Sequence, residues 1–232
     1  MVGLRYYLIR RLLLIIPVLI GLSIVTFVIS HIVPGDPVRL AAGPQATAEQ
    51  IHKLEQEFGL DKPLHIQYLN YMQGVLKGNL GQSMMNRHPV AMDIKRYFPA
   101  TFELVVVSTI LGVLIGLPMA MAAAVFKDRW PDQVSRITAL SSISMPVFWL
   151  GMVLQLILCM KLHLLPISGR FDPRTPFPPN VTGMLLVDSL LAGDLHKFGI
   201  ALKHIALPAF CQSLIAVALI TRLLRADILE VL

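Results

Sequence analysis

Charged residues are scarce in this sequence: only 15% of its 232 residues are Asp, Glu, Lys or Arg, against roughly 25% in soluble domains. Hydrophobic residues make up 55%, and mean hydropathy is +0.67. This balance excludes an ordinary soluble domain and indicates a membrane protein with water-facing loops. The formal net charge of +6 requires no nucleic-acid partner, because Lys and Arg flanking membrane spans produce the same bias.

Motifs for metal binding and catalysis are also missing. The only two cysteines, Cys159 and Cys211, lie in apolar stretches, which argues against a disulfide framework. The histidines form no His-x-x-x-His pair, so no metal site of helical spacing is predicted. An intramembrane enzyme with Ser144 as nucleophile and His204 as base is disfavoured, because no Gly-x-Ser-x-Gly motif is present. No enzyme activity, catalytic residue or bound cofactor is predicted.

Long apolar runs are the dominant feature that is present. They predict an all-α helix bundle with about four transmembrane helices, at about residues 12–33, 100–126, 137–160 and 204–224. Arg10 and Arg11 precede the first run, which predicts a cytoplasmic N-terminus. That run is too long for a signal peptide, and no small-residue cleavage site follows it. The predicted divisions are residues 1–33 (N-terminus and first helix), 34–98 (an extracytoplasmic helical segment) and 99–232 (the membrane domain).

Capping signals predict two helices in the 34–98 segment. Thr47 and Gln50 have the spacing of a capping box, and Gly59 is a natural stop for the helix that they begin. A second helix is predicted to start after Pro63 and to end near Gly78. The two helices form a small extracytoplasmic cap in this interpretation.

Small and polar residues inside the apolar runs mark candidate helix contacts. Gly112 and Gly116 form a small-xxx-small pair, which lets another helix approach closely. Gln155 and Gln212 are expected to pair structurally within the bundle. Glu103 is the only acidic residue in a predicted span, close enough to its outer end to reach water.

Four stretches, in register along the whole chain, carry a family resemblance. They are Arg10-Arg11-Leu12 through His31-Ile32-Val33-Pro34-Gly35-Asp36-Pro37; Leu60-Asp61-Lys62-Pro63 with Gln67-Tyr68 and Gly78-Asn79-Leu80-Gly81-Gln82-Ser83; Ser144-Met145-Pro146-Val147-Phe148-Trp149-Leu150-Gly151-Met152; and Thr221-Arg222-Leu223-Leu224-Arg225-Ala226-Asp227-Ile228-Leu229-Glu230-Val231-Leu232. Together they resemble the permease subunit of ABC importers for di- and oligopeptides, glutathione or nickel. The resemblance implies a peptide permease in the bacterial cell (inner) membrane, in contact with lipid.

The resemblance also implies partners. They are a second permease subunit, two cytoplasmic ATPase subunits and an extracytoplasmic substrate-binding protein. The sequence contains no Gly-x-x-x-x-Gly-Lys-Ser/Thr loop, so ATP is expected to bind the separate ATPase subunits.

Candidate site residues come from the polar and proline positions of the sequence as well as from the resemblance. The translocation path is assigned to Ser141, Ser142, Ser144 and Pro146. The alternatives are that each serine bonds a backbone carbonyl or makes a cross-helix hydrogen bond, and that Pro146 is a tolerated kink. The resemblance assigns the turn Pro34, Gly35, Asp36 and Pro37 to the binding-protein side; the simpler alternative is a turn at the membrane surface without a contact role. The start of the ATPase-coupling region is assigned to Arg222, Arg225 and Glu230.

The family pattern continues beyond the fourth stretch with a coupling loop and two more spans, for a total of six. The chain is therefore expected to be a C-terminally truncated permease. A remnant without transport function is an open alternative, as are permeases specific for glutathione or nickel.

Overall fold

A computed structural model describes residues 4–32, 46–83 and 88–231, and this part of the chain is mainly helical. The helices are α1 (Leu4–Ile32), α2 (Ala48–Phe58), α3 (Leu64–Leu76), α4 (Val90–Val125), α5 (Trp130–Ser144), α6 (Val147–Leu154) with a π-helical continuation (Gln155–Lys161), α7 (Leu185–Leu191) and α8 (Leu195–Val231). The predicted all-α membrane bundle is confirmed. The chain divides into two compact units, Met1–Ile94 and Lys95–Leu232.

The first unit contains the N-terminal apolar helix and two short helices. The described apolar side chains of α1 are largely exposed. Tyr68 of α3 touches α1, because its hydroxyl lies 2.8 Å from the Ser23 hydroxyl and its ring meets Phe27 edge-on. The predicted turn Pro34–Pro37 lies outside the described residues.

The predicted capping signals at α2 are confirmed. The Gln50 amide donates to the Thr47 hydroxyl at 3.4 Å, and the Thr47 amide donates to the Gln50 side chain at 3.0 Å. Gly59 ends the helix in the left-handed region, with φ +66°, where an L side chain is strained. The helix after Pro63 ends at Leu76, two residues before the predicted stop at Gly78.

Two helices of the second unit are longer than the predicted spans. Helix α4 begins at Val90 rather than near residue 100, and α8 covers Leu195–Val231 rather than about 204–224. By length and composition, α1, α4 and α8 can each cross a membrane. A helix that extends beyond the hydrocarbon core keeps its backbone hydrogen bonds while its ends enter water, so hydropathy alone underestimates its length.

The stretch predicted as the third span, about 137–160, is not one continuous helix. Segments Trp130–Ser142 and Val147–Lys161 meet at an angle of 105°, and they make a fourth span only if the bent pair is taken together. Pro146 has no amide hydrogen to continue the helix. Met145 is extended, with φ −89° and ψ 128°, as expected for a residue before proline.

Small residues let α4 and α8 approach closely, which confirms the prediction made from Gly112 and Gly116. A Cβ atom at Gly112 would lie 2.6 Å from the Ala216 Cβ, and one at Gly116 would lie 3.1 Å from the Ile220 Cβ. The Thr221 hydroxyl donates to the Gly116 carbonyl at 3.4 Å. The buried residues around this contact are mostly small, such as Ser108, Ser213 and Ala218, so the two helix backbones approach closely.

Candidate functional site

Asp132 is the centre of a buried ion cluster at one end of the second unit. It lies in the first turn of α5, and its side chain is fully buried. Arg225 of α8 donates to both of its carboxylate oxygens, at 2.6 and 2.8 Å. Arg136 adds a bond of 2.8 Å from the next turn of α5, and the Asp128 amide donates at 3.1 Å. With a further bond of 3.3 Å from Arg136 Nε, five N–H donors compensate one buried carboxylate.

The residues assigned to the coupling region separate into two groups. Arg225 is held by Asp132 and is only one-fifth exposed. Arg222 and Glu230 are exposed on the same helix. The last turns of α8 therefore have one arginine fixed inside the fold, while Arg222, Glu230 and also Asp227 are open to solvent.

Glu103 is the centre of a second buried cluster, and the expectation that it reaches water is wrong. Its side chain is 6% exposed. One oxygen accepts from the Leu186 amide at 2.6 Å, and the other accepts from Arg170 Nη2 at 3.1 Å. Arg170 also donates to the Gly183 carbonyl at 3.2 Å. Glu103 thus ties α4 to the loop before α7 and to α7 itself.

Asp188 of α7 fixes the turn that precedes this helix. This buried carboxylate accepts from the Thr182 amide at 2.8 Å, the Thr182 hydroxyl at 2.7 Å and the Gly183 amide at 3.0 Å. Gly183 has φ +79°, a conformation that suits glycine. The loop that carries Arg170 is consequently closed at its C-terminal end by a short, well-bonded turn.

Two adjoining cavities lie beside the Glu103 cluster. The first, of about 240 Å³, is lined by Glu103, Arg170, His204 and Pro208, with Ala100, Thr101, Leu104, Gly169, Leu185, Leu186, Ala201 and Ile205. The second, of about 350 Å³, is lined by Gln155, His204 and Pro208, with Phe148, Gly151, Met152, Cys159, Pro166, Ile167, Ser168, Gly169 and Leu207. His204, Gly169 and Pro208 line both.

The predicted path residues line neither cavity. Ser141 and Ser142 are half-buried and Ser144 is exposed, all at the end of α5. The Ser142 hydroxyl donates to the Thr138 carbonyl at 2.7 Å, as the alternative interpretation expected for each serine. Pro146 precedes α6, and α6 contributes Phe148, Gly151 and Met152 to the second cavity. The break therefore adjoins a cavity-lining segment, while the serines lie on its other side.

Sequence reasoning missed Asp132, Arg170 and Asp188. A local signal existed for Asp132. Proline and an acidic residue are both favoured in the first turn of a helix, and Arg136 follows one turn later, where it can pair with Asp132. The partners Arg225 and Arg170 lie 93 and 67 positions from the acids that they pair with. No local pattern reveals a pairing at such separations.

This chain is a polytopic helical membrane protein. It has long apolar helices and one broken helix, and charge clusters tie the helices together. Comparison with family models identifies the family to which it belongs. Residues 112–232 match the model "Binding-protein-dependent transport system inner membrane component", and residues 4–105 match the model of the N-terminal part of that membrane component. The chain belongs to this family. The family is a component of transport systems and not a family of enzymes.

Relatives with names extend the comparison. The chain is 38% identical over 213 residues to the probable D,D-dipeptide transport system permease protein DdpB of Escherichia coli strain K12, covering 92% of this chain and 63% of that protein. It is 39% identical over 226 residues to the dipeptide transport system permease protein DppB of Alkalihalophilus pseudofirmus, covering 97% and 68%. It is 41% identical over 186 residues to the glutathione transport system permease protein GsiC of Salmonella typhi, covering 80% and 61%. The chain thus spans about two thirds of the length of these relatives.

Proposed function

We propose that this chain is part of the permease subunit of an ATP-driven importer for di- and oligopeptides. The observation that carries the proposal is the identity of 38–39% to proteins named as dipeptide permeases, over 92–97% of this chain. Helices long enough to span a membrane support it. In this role the chain performs no covalent chemistry. It provides a helix bundle with an outward-open and an inward-open arrangement. Partners that bind the two arrangements with different affinity shift the equilibrium between them.

The partners are those of a binding-protein-dependent system. We assign to it a second permease subunit, two cytoplasmic ATPase subunits that bind ATP, and an extracytoplasmic substrate-binding protein. The family description itself contains the binding-protein dependence. Arg222 and Glu230, exposed at the end of α8, are proposed to face the ATPases. Pro34–Pro37 remains the proposed turn on the binding-protein side.

The proposed location is the bacterial inner membrane, with the N-terminus in the cytoplasm. Arg10 and Arg11 before the first span support this orientation. Lys127, Arg129 and Arg136 lie at or near the start of α5, and Lys or Arg beside a span favours the cytoplasmic side. The Asp132–Arg225 pair joins this region to the last turns of α8, so both segments lie on the cytoplasmic side in this orientation.

Glutathione is the second candidate substrate. Permeases named for glutathione transport are 41% identical over 80% of this chain, and glutathione is itself a short peptide. Peptide permeases match a larger share of the chain, so a general peptide substrate is favoured. Ser141, Ser142, Ser144 and Pro146 remain proposed path residues beside the helix break.

Uptake by a deletion strain tests the proposal. Cells that lack the gene for this chain should accumulate a radiolabelled dipeptide more slowly than the parent, and a plasmid copy of the gene should restore the rate. Labelled glutathione and nickel are measured in parallel to define the substrate. Unchanged uptake of dipeptides, longer peptides, glutathione and nickel would contradict the transport function.

A further inference from the structure

Two side chains that line the cavities, His204 and Gln155, each keep a hydrogen-bond acceptor beyond the bond that they already make. The Nδ1 atom of His204 lies 2.8 Å from the Ile200 carbonyl. A carbonyl only accepts, so Nδ1 carries the hydrogen, and in the neutral ring Nε2 is left as an acceptor. Gln155 uses its Nε2 to donate to the Ile167 carbonyl at 2.6 Å, which leaves its carbonyl oxygen available.

The main-chain carbonyl of His204 is a third acceptor, because Pro208 leaves it without its usual helix donor. Pro208 lies inside α8 and has no amide hydrogen, so the His204 carbonyl lacks the usual donor four residues along the helix. His204 and Pro208 line both cavities, whereas Gln155 lines the second only. The acceptors therefore come from residues that line two adjoining cavities.

Arg170 provides donors at the other end. Among the residues that the structure describes, its Nη2 donates to Glu103 at 3.1 Å and to the Gly183 carbonyl at 3.2 Å, and no hydrogen bond is seen from its other nitrogens. The side chain is 46% exposed, and a guanidinium has further N–H donors on Nε and Nη1. The buried Glu103 carboxylate fixes one Nη of Arg170, so the arginine is positioned while its other N–H groups can bind a ligand.

We propose that the two cavities form one groove that binds the main chain of a short peptide, with Arg170 on the terminal carboxylate and Gln155 and His204 on the N–H groups. The proposal rests on the proposed function and deepens it. The first volume, about 240 Å³, is below the range of roughly 300–1,000 Å³ for ligand pockets, and the second, about 350 Å³, is within it. A groove that reads only main-chain groups accepts varied side chains.

Thiol protection tests the groove in the assembled transporter, purified in detergent without its binding protein. In a chain with Cys159→Ala and Cys211→Ala, Ser168→Cys places a reporter thiol in the second cavity. Val181→Cys is the matched control, an exposed loop position that lines neither cavity. The probe is L-alanyl-L-alanine, compared with its C-terminal amide and with alanine.

The dipeptide should slow maleimide labelling at position 168 about fivefold or more at saturation, and labelling at position 181 should not change. The amide and alanine should protect at concentrations at least about tenfold higher, since one lacks the carboxylate and the other the peptide group. Arg170→Lys keeps a charge beside Glu103 but loses the planar fork, so it should raise the protecting concentration of the dipeptide about tenfold.

Uptake of radiolabelled dialanine by cells carrying the same variants separates the two proposals. Normal uptake without protection at position 168 overturns the groove and leaves the transport function standing. Equal protection by dialanine, its amide and alanine also overturns main-chain recognition. If cells take up no peptide whether or not they carry this chain, both the groove and the transport function are overturned.

Discussion

Arg225 donates two hydrogen bonds to Asp132, from Nε to Oδ1 at 2.6 Å and from Nη2 to Oδ2 at 2.8 Å, across 93 positions of sequence. The paired geometry matches the planar guanidinium to the carboxylate, which makes this a strong charge-assisted contact. It fixes the first turn of α5 to the last turns of α8. The fully buried carboxylate makes the contact sensitive to the loss of either partner.

Asp132→Ala should lower stability by about 3 kcal/mol or more, because it leaves two arginines without their buried counter-charge. The measurement is the midpoint of denaturation in detergent, followed by circular dichroism. Asp128→Asn is the matched control. Asp128 also pairs with Arg136 but is 73% exposed, and its φ of +60° suits asparagine. This control should change stability by less than about 0.5 kcal/mol. Equal effects of the two substitutions would contradict a central role for Asp132.

Substitutions of Glu103 should loosen the loop before α7 in two steps. Glu103→Gln removes the charge opposite Arg170, which is 46% exposed, so the expected loss is about 1 kcal/mol or less. Glu103→Leu also leaves the Leu186 amide unpaired, at an additional cost of about 1–3 kcal/mol.

Limited proteolysis with trypsin reads out this loop through cleavage after Arg174. The rate should increase from the wild type to Glu103→Gln and again to Glu103→Leu. Equal rates for the two variants would show that the Leu186 bond does not hold the loop.

Gly112→Ala should separate α4 from α8. The added carbon would lie 2.6 Å from the Ala216 Cβ, so the helices must move apart, at a cost of about 1–3 kcal/mol. Gly21→Ala is the control, because a Cβ at that helical position meets nothing within 4 Å. The double variant Gly112→Ala with Ala216→Gly should regain most of the lost stability in the same denaturation measurement. Failure of this rescue would place the cost elsewhere.

Pro146→Ala should reduce the bend between α5 and α6, because residue 146 regains an amide that can continue the helix. Spin labels on Val134→Cys and Met160→Cys, both exposed positions, report the distance across the break. That distance should lengthen, and peptide uptake should fall. Pro118→Ala, inside the continuous helix α4, should leave the distance unchanged. An unchanged distance in Pro146→Ala would assign the bend to tertiary packing.

Local sequence signals predicted the elements whose cause is local. The Thr47–Gln50 capping box and the Gly59 stop are confirmed, because caps depend on residues within one or two turns. The Gly112 and Gly116 contact is also confirmed, although its partner helix was not identified. The 105° break at Pro146 was underestimated, since hydropathy responds to composition and not to direction.

The candidate site was less accessible to sequence reasoning. Serines before Pro146 were chosen because polar residues in an apolar run need partners, yet Ser142 finds its partner on its own helix. Glu103 was expected to reach water, but Arg170 and the Leu186 amide enclose it. The Glu103 outcome depends on which residues meet across the bundle, whereas the Ser142 bond is local to its own helix.

The sequence by itself determined the membrane class, the family, the helix caps and the small-residue contact face, because composition, spacing and family motifs are properties of the linear chain. Only the tertiary structure decided that Asp132 binds Arg225, that Glu103 holds Arg170, and that His204 and Pro208 line two adjoining cavities. The physical reason is that a buried charge or an open acceptor is defined by its neighbours, and those neighbours come from helices far apart in the chain.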